Sequence, residues 1–348
     1  MSLPNDQQAQ LEKLYAEMAP TNLMPLWESL AELVRPQPRS PAVPHLWSYM
    51  QAREYLMRAG DLISAEQAER RVLILENPGL KGLSAIVPSL YAGLQLILPG
   101  EIAPSHRHSQ CALRFVIEGE GAFTALDGEK AIMRPFDLVL TPGWQWHDHG
   151  NPSDKPMIWL DGLDIPMVRH FDASFAERLD EKVFPESAPA GDTLARYGHN
   201  MRPIRGSAAD RRPAHQPLFH YPYTQWRPAL DEMAQSAAID PHLGHALEFL
   251  NPANGGSVMP TISAHVRLLP AGFATKPRRS TDGTTFVVVQ GEGAARIDEE
   301  VFQLKPRDIF VVPSWRELIL EANSELVLFG YSDKAAQEKL NLYKEQIS

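Results

Sequence analysis

Apolar residues recur at helical spacing near the start of the chain: Leu11, Leu14, Tyr15 and Met18, then Leu23, Leu26, Trp27 and Leu30. This predicts two helices within residues 8–35, separated at Pro20, with Thr21 or Asn22 capping the second. The proline-rich PQPRSPAVPHLW (36–47) reads as extended chain, followed by a helix from about Ser48 to Arg58 closed by Gly60. From about residue 71 the period shortens. SLYAGLQLIL, LRFVIE, AFTAL, AIMR, LVLT and MIWLDGL are short β-branched and aromatic runs between Gly, Pro and Asp turns, and each predicts a strand. Short strands at close, even spacing point to a barrel or sandwich. Residues 169–255 are rich in Pro, His and Arg, with one helix predicted near ALDEMAQ (229–235). A second strand-rich block runs over 258–331, and the tail SDKAAQEKLNLYKEQIS predicts a helix capped by Ser332. The expected layout is mainly β: a helical arm (1–70), a first barrel (71–168), a connector (169–255), a second barrel (256–331) and a C-terminal helix (332–348).

The two strand-rich blocks resemble one another. FVIEGEGAFTALDGEKAIMRPFDLVLTPGWQWHDH parallels FVVVQGEGAARIDEEVFQLKPRDIFVVPSWRELIL in the order strand, Gly-Glu-Gly, strand, acidic turn, strand, Pro-x-Asp, strand, Pro-x-Trp. A repeat of this length signals a duplicated domain. The glycines of both Gly-Glu-Gly turns stand where the chain must reverse sharply, which favours a positive φ.

Composition narrows the function classes. The 348 residues are 44% hydrophobic and 22% charged, enough for a large core, and exceed the usual size of one domain. The single cysteine, Cys111, excludes an internal disulfide and fits a reducing compartment. The opening MSLPNDQQAQ lacks the basic start and apolar core of a signal peptide, and no apolar run approaches a membrane span, so a cytoplasmic location is expected. The net charge of −10 argues against nucleic acid as a partner. It also means that an anionic substrate must be held by local arginines.

The chemistry concentrates around two His-x-His pairs. Residues two apart on a strand share a face, so His106 and His108 project together, and so do His147 and His149. Two histidines from one strand and His147 from another make a facial set of three nitrogen ligands, suited to iron, zinc, copper or nickel rather than magnesium or calcium. His149 is expected either to exchange a proton or to make a structural hydrogen bond. The second block acts as an internal control. Counted from its Gly-Glu-Gly and Pro-x-Trp landmarks, Arg278, Ser280 and Leu318 stand where the first block has His106, His108 and His147. The turns persist where the histidines do not, so the fold does not require the histidines.

Other residues fall on the same strand faces. Arg114 lies six residues after His108 and is aimed at the same interior, where an arginine can grip a carboxylate in a bidentate fork. Tyr91, Gly93 and Gln95 alternate along one strand and either shape a pocket or serve barrel packing. Asp161 is a candidate carboxylate for orienting a histidine or arginine. Cys111 is expected to be a buried small residue, and Trp144, Trp146 and Trp159 to be packing.

The landmarks Gly100, His106-x-His108 and Gly119, then Pro142, His147 and Asn151, resemble the cupin superfamily in a bicupin arrangement. The glutamate usual after the second histidine is replaced near Ala112 by an apolar residue, and two usual glycines are replaced by Phe136 and Trp144. HRHSQCALRFVIEGEG, TPGWQWHDHGN, WLDGLDIP and VVPSW are similar to the motifs of the gentisate 1,2-dioxygenase family, with its salicylate and 1-hydroxy-2-naphthoate relatives, and the resemblance spans most of the chain. It implies one Fe(II) per chain on His106, His108 and His147. It further implies cleavage of a small aromatic hydroxy acid with O2 between the carboxyl-bearing and neighbouring hydroxyl-bearing carbons, gentisate giving maleylpyruvate, and a homo-oligomer, commonly a tetramer. It implies substrate contact by Arg114 and by Arg70, with Arg71 as the adjacent alternative. Three neutral imidazoles leave such a site at +2, which a doubly anionic chelating substrate neutralises. A zinc or manganese cupin isomerase or hydrolase, and a storage or ligand-binding bicupin, are the competing classes. The missing glutamate weighs against the first, and the histidine set and absent signal against the second.

Overall fold

The computed structural model describes residues 4–181, 183–204 and 216–347. The chain divides into two compact units at Arg39 and Ser40. In the first unit, helices Asn5–Met18 and Leu26–Leu33 flank a short turn of 3-10 helix at Ala19–Thr21. The Trp27 indole N–H donates to the Tyr15 hydroxyl (2.7 Å), which donates to Glu28 (2.8 Å), tying the two helices together. Leu23, Met24, Trp27 and Leu33 remain exposed.

The second unit is a pair of antiparallel β-barrels. In the first, one sheet runs in the order His220–Tyr221, Leu138–Thr141, Ala112–Glu118, Met157–Leu163, Tyr91–Ile97, Arg71–Ile74. The facing sheet runs Ala176–Arg178, Ile102–His108, His147–Gly150, Phe123–Leu126, Glu129–Ile132. The second barrel repeats this pattern. Its first sheet begins with His45–Trp47 and Ile309–Val312 and ends with Ser263–Leu269 and His245–Glu248, and Glu345–Ile347 edges its other sheet beside Arg278–Ser280. Apolar side chains from both barrels form one continuous core, in which Phe115 stacks on Phe329 with ring centroids 3.9 Å apart.

The duplication is longer than the two matching sequence blocks, and its halves exchange contacts. Helix Tyr49–Leu62 begins with the Tyr49 N–H donating to Asp308 of the second barrel (3.0 Å). Helix Tyr223–Ser236 begins with the Tyr223 N–H donating to Asp137 of the first (2.8 Å). Likewise the Thr261 hydroxyl donates to Asp164 and the Ser89 hydroxyl to Asp333, each at 2.6 Å. The segment 169–255 is therefore more than a connector. Ala176–Arg178 completes the first barrel, while the strand and helix at 220–236 repeat the strand and helix at 45–62, with Tyr-x-Gln-x-Arg opening each helix.

Two local expectations change. Gly60 lies inside helix Tyr49–Leu62 rather than closing it; a Cβ there would approach Leu96 to 3.0 Å, so glycine serves close packing on the sheet. The tail is helical only over Lys334–Lys339, matching Ile165–His170 in the first half. Asn341 at φ 58° turns the chain, and Glu345–Ile347 pairs with Arg278–Ser280 as a strand. Phe136, Trp144, Arg307 and Trp315, in place of the glycines usual at the first two, all adopt left-handed backbone (φ 68°, 66°, 72° and 63°). The turns hold this conformation through bonds such as Trp144 N–H to His108 C=O (2.6 Å) and Trp315 N–H to Ser280 C=O (2.7 Å). Among the described residues, no helix is long and apolar enough to cross a membrane.

Candidate metal centre

Strand pairing sets His106 directly opposite His147, and strand alternation brings His108 to the same face. One ring nitrogen from each of His106, His108 and His147 lies within 4.8 Å of the other two. Each imidazole is oriented by a backbone carbonyl two residues away. Nδ1 of His106 donates to Pro104 (3.0 Å), that of His108 to Gln110 (2.9 Å) and that of His147 to Gln145 (2.9 Å). This fixes the tautomer and leaves the three Nε2 lone pairs for a ligand, the usual way a metal-binding histidine is prepared. The His147 Nε2 is buried without a hydrogen-bond partner, an arrangement that costs free energy unless a cation takes the lone pair. Burial keeps all three neutral. His106 is pushed down to about 2 and His108 to about 4, and His147 lies well below the usual imidazole range. A neutral three-nitrogen set without a carboxylate fits a divalent transition metal.

The two neighbouring arginines separate cleanly. Arg71 is buried against Glu101 and donates from Nε to the Ile63 carbonyl (2.8 Å). Arg70 points the other way, with Nη2 2.7 Å from the His106 Nε2, at the lone pair a metal would take. Arg114 is 2% exposed and donates from Nη1 to the Thr141 hydroxyl (3.0 Å). Its Nε faces Asp161 Oδ1 at 3.4 Å, and the two residues are direct cross-strand partners. Burial lowers the Arg114 guanidinium to about 10 and raises the Asp161 carboxyl, each opposed by the other's charge. The Trp159 indole N–H also donates to Asp161 (3.0 Å), so this tryptophan does more than pack. Asp161 thus sits behind an arginine, not behind a histidine.

Tyr91, Gly93 and Gln95 share the inward face with Arg114 and Asp161: Gly93 pairs with Asp161, and Gln95 with Trp159. The Tyr91 hydroxyl lies over Gly93, where an added Cβ would come within 2.6 Å of it. Burial raises the Tyr91 phenol, and the Asp161 charge adds to this. His149 is fully buried 5.8 Å from the His147 ring; its Nδ1 meets the Thr124 hydroxyl at 2.9 Å and its Nε2 has no partner. Thr124, Thr141 and the Trp159 indole were not legible as site residues, because their partners are cross-strand neighbours or bonded through a single side-chain atom. Trp144 and Trp146, expected to pack, instead flank the Arg107 guanidinium at 4.6 and 4.7 Å, and Trp144 is 41% exposed. Cys111 is buried, its thiol raised to about 12 by burial.

The second barrel reproduces the frame without the ligands. Arg278 pairs with Leu318 in the register in which His106 pairs with His147. Among the described residues, His106, His108 and His147 form the one group of three or more His, Cys, Asp or Glu placed to hold a metal.

A cupin domain model matches residues 93–163. The chain is 53% identical to gentisate 1,2 dioxygenase 1 of Aquipseudomonas alcaligenes over 334 residues, covering 96% of this chain and 95% of that protein. It is 34% identical to 5-aminosalicylate 1,2-dioxygenase of Comamonas sp over 352 residues, 99% of this chain and 92% of that one. Salicylate 1,2-dioxygenase from Pseudoaminobacter salicylatoxidans, solved as an adduct with gentisate, superposes with a TM-score of 0.91 at 35% identity, covering 100% of this chain and 96% of that chain.

Proposed function

The chain belongs to the gentisate 1,2-dioxygenase family of ring-cleaving cupin dioxygenases, and on that premise we propose that it opens gentisate with O2 to maleylpyruvate at one Fe(II) per chain. Cleavage falls between the carboxyl-bearing carbon and the neighbouring hydroxyl-bearing carbon. The observation that carries this reading is the neutral three-histidine cluster sharing one barrel interior with Arg114. Family membership sets aside the isomerase and storage alternatives.

His106, His108 and His147 would hold the iron, which would supply redox chemistry between an aromatic substrate and O2. The protein's own groups place and neutralise the substrate. Arg114, braced by Thr141 and Asp161, offers its remaining N–H donors to the substrate carboxylate, a charge-assisted contact worth about 1.5–3 kcal/mol. Arg70 adds a second positive charge beside His106. His149 accepts or returns a ring-hydroxyl proton at Nε2, since its Nδ1 is engaged by Thr124. Tyr91 contacts the ring substituents, with Gly93 and Gln95 shaping the wall. The buried setting excludes water and strengthens each of these interactions.

The assay is oxygen uptake by iron-saturated protein with gentisate, salicylate and 1-hydroxy-2-naphthoate. Gentisate is expected to be cleaved much better than salicylate, because its second hydroxyl donates electrons to the ring, and 1-hydroxy-2-naphthoate should be poor. Comparable or better turnover of salicylate would overturn the substrate assignment in favour of the salicylate reading, which the 35% identity to a salicylate dioxygenase supports. We further propose a cytoplasmic homotetramer; the exposed Leu23, Met24, Trp27 and Leu33 support burial of the N-terminal unit against another copy.

A further inference from the structure

The second barrel keeps a cup where the first holds its metal cluster. A small recess, partly open to solvent, is lined there by Arg278, Ser280, Asp282, Phe286, Arg316 and Leu318 among others. Its contents have changed in kind. Arg278 and Ser280 replace two imidazoles. Cross-strand register also sets Arg267 at the position of Gln95 and Phe286 at that of Arg114.

Arg267 is 4% exposed, and its Nε and Nη1 have no hydrogen-bond partner. Its guanidinium lies 5.1 Å from the centre of the Phe286 ring that lines the recess. A buried guanidinium with open N–H donors is costly unless an acceptor reaches it. The acids nearby do not satisfy it. Glu345 pairs with Arg278 and Asp298 with Arg316, while Asp282 accepts from Thr284 (3.2 Å) through one oxygen and leaves the other unpartnered. Arg279 stacks over Trp315 and donates to Gln346. Four arginines against three carboxylates leave one positive charge in excess. An apolar wall beside planar forks selects a carboxylate on a small organic body over a compact, strongly hydrated oxyanion.

We propose that the second barrel binds a small organic carboxylate, gripped by Arg267 and Arg278 against the Phe286 ring, at a site separate from the metal centre.

The test is isothermal titration of the anaerobic, iron-loaded full chain with benzoate and, separately, with inorganic phosphate. The expected result is a benzoate site weakened roughly tenfold or more by Arg267→Gln and by Ser280→Glu but untouched by Arg114→Lys. Arg267→Gln is compatible with the strand, because Gln95 occupies the matching position in the first barrel. Ser280→Glu supplies a fixed carboxylate to the recess and keeps the proposal testable if Arg267→Gln fails to fold. Both variants should retain wild-type iron content and oxygen consumption. A benzoate site sensitive to Arg114→Lys alone, binding unchanged in Arg267→Gln and Ser280→Glu, or binding of phosphate without benzoate would overturn the proposal. Failure of the gentisate reading would show instead in the oxygen-uptake assay and would leave this site intact.

Discussion

Replacing Arg114 with lysine isolates the contribution of guanidinium geometry from that of charge. The arginine already spends one N–H on Thr141 (3.0 Å) and turns another toward Asp161 (3.4 Å). Five N–H donors in a planar fork still leave enough for two carboxylate oxygens. A lysine ammonium has three, all on one atom, and cannot meet Thr141, Asp161 and both substrate oxygens together. Loss of one charge-assisted bond costs about 1.5–3 kcal/mol, or about 10- to 150-fold in kcat/KM for gentisate. Because Asp161 keeps a cation beside it, Arg114→Lys should fold with its full complement of iron. Arg114→Met should not be so benign. It strands the buried Asp161 carboxylate and should destabilise the protein by about 3–5 kcal/mol. Oxygen uptake against gentisate concentration, metal analysis and thermal denaturation read the three effects separately. Unchanged kcat/KM in Arg114→Lys would remove Arg114 from the substrate site, and unchanged stability in Arg114→Met would refute the buried pair.

His147→Leu should fold, since Leu318 fills the same register position in the second barrel, yet metal analysis should find no tightly held iron; His106→Ala and His108→Ala should likewise lose iron while the wild type binds one per chain. Gly93→Ala would place a methyl 2.6 Å from both the Tyr91 hydroxyl and Val72, so gentisate turnover should fall at unchanged iron content, with about 1–3 kcal/mol of overpacking strain in thermal unfolding. Glu118→Gln weakens the bonds from Arg53 and Tyr49 that hold helix Tyr49–Leu62, and should cost about 1–2 kcal/mol at neutral pH. The Arg53 bonds lower the Glu118 carboxyl, so its stabilisation is present above its usual value of 4.5 and is lost as pH falls below that. Denaturant titrations of the two proteins should therefore converge in acid. Removing residues 1–39 should reduce the assembly size measured by light scattering while leaving the barrels folded.

Much of this architecture is legible because it is written in local signals. The change of period near residue 71, the two Gly-Glu-Gly turns and the His-x-His alternation each depend on residues a few positions apart. What escapes is set by distant partners. Nothing local tells Arg70 from Arg71; the difference is that Glu101 and the Ile63 carbonyl claim Arg71. The helical pattern of the tail was sound as far as Lys339, but a strand edge offered by Arg278–Ser280 captured the last residues. The longer repeat was hidden because its strand-and-helix piece shares only Tyr-x-Gln-x-Arg between copies, while the bonds that place it, to Asp308 and Asp137, cross from one half to the other.

Those crossing bonds also explain how two copies of one frame could come to hold different chemistry. The frame is secured outside the cups, by Asp137 and Asp308 on helix N-termini and by Asp164 and Asp333 on hydroxyls of the opposite half. Inside the first cup, each ligand imidazole is oriented by a carbonyl only two residues from itself, and the one contact a ligand makes with a distant side chain, His106 with Arg70, serves the site and not the strand ladder. Exchanging such a side chain removes a ligand without loosening a strand. Arg278, Ser280 and Leu318 can therefore occupy the corresponding register with the ladder intact, as the Arg278–Leu318 pairing shows. The same independence does not extend to Arg114 and Asp161, which are buried, opposite in charge and mutually dependent. In the second barrel both members of that pair are gone together, with Phe286 and Gly330 in their places. A half-exchange would have left one charge buried alone, at a cost of several kcal/mol; losing both leaves an apolar wall, against which the Arg267 guanidinium now lies.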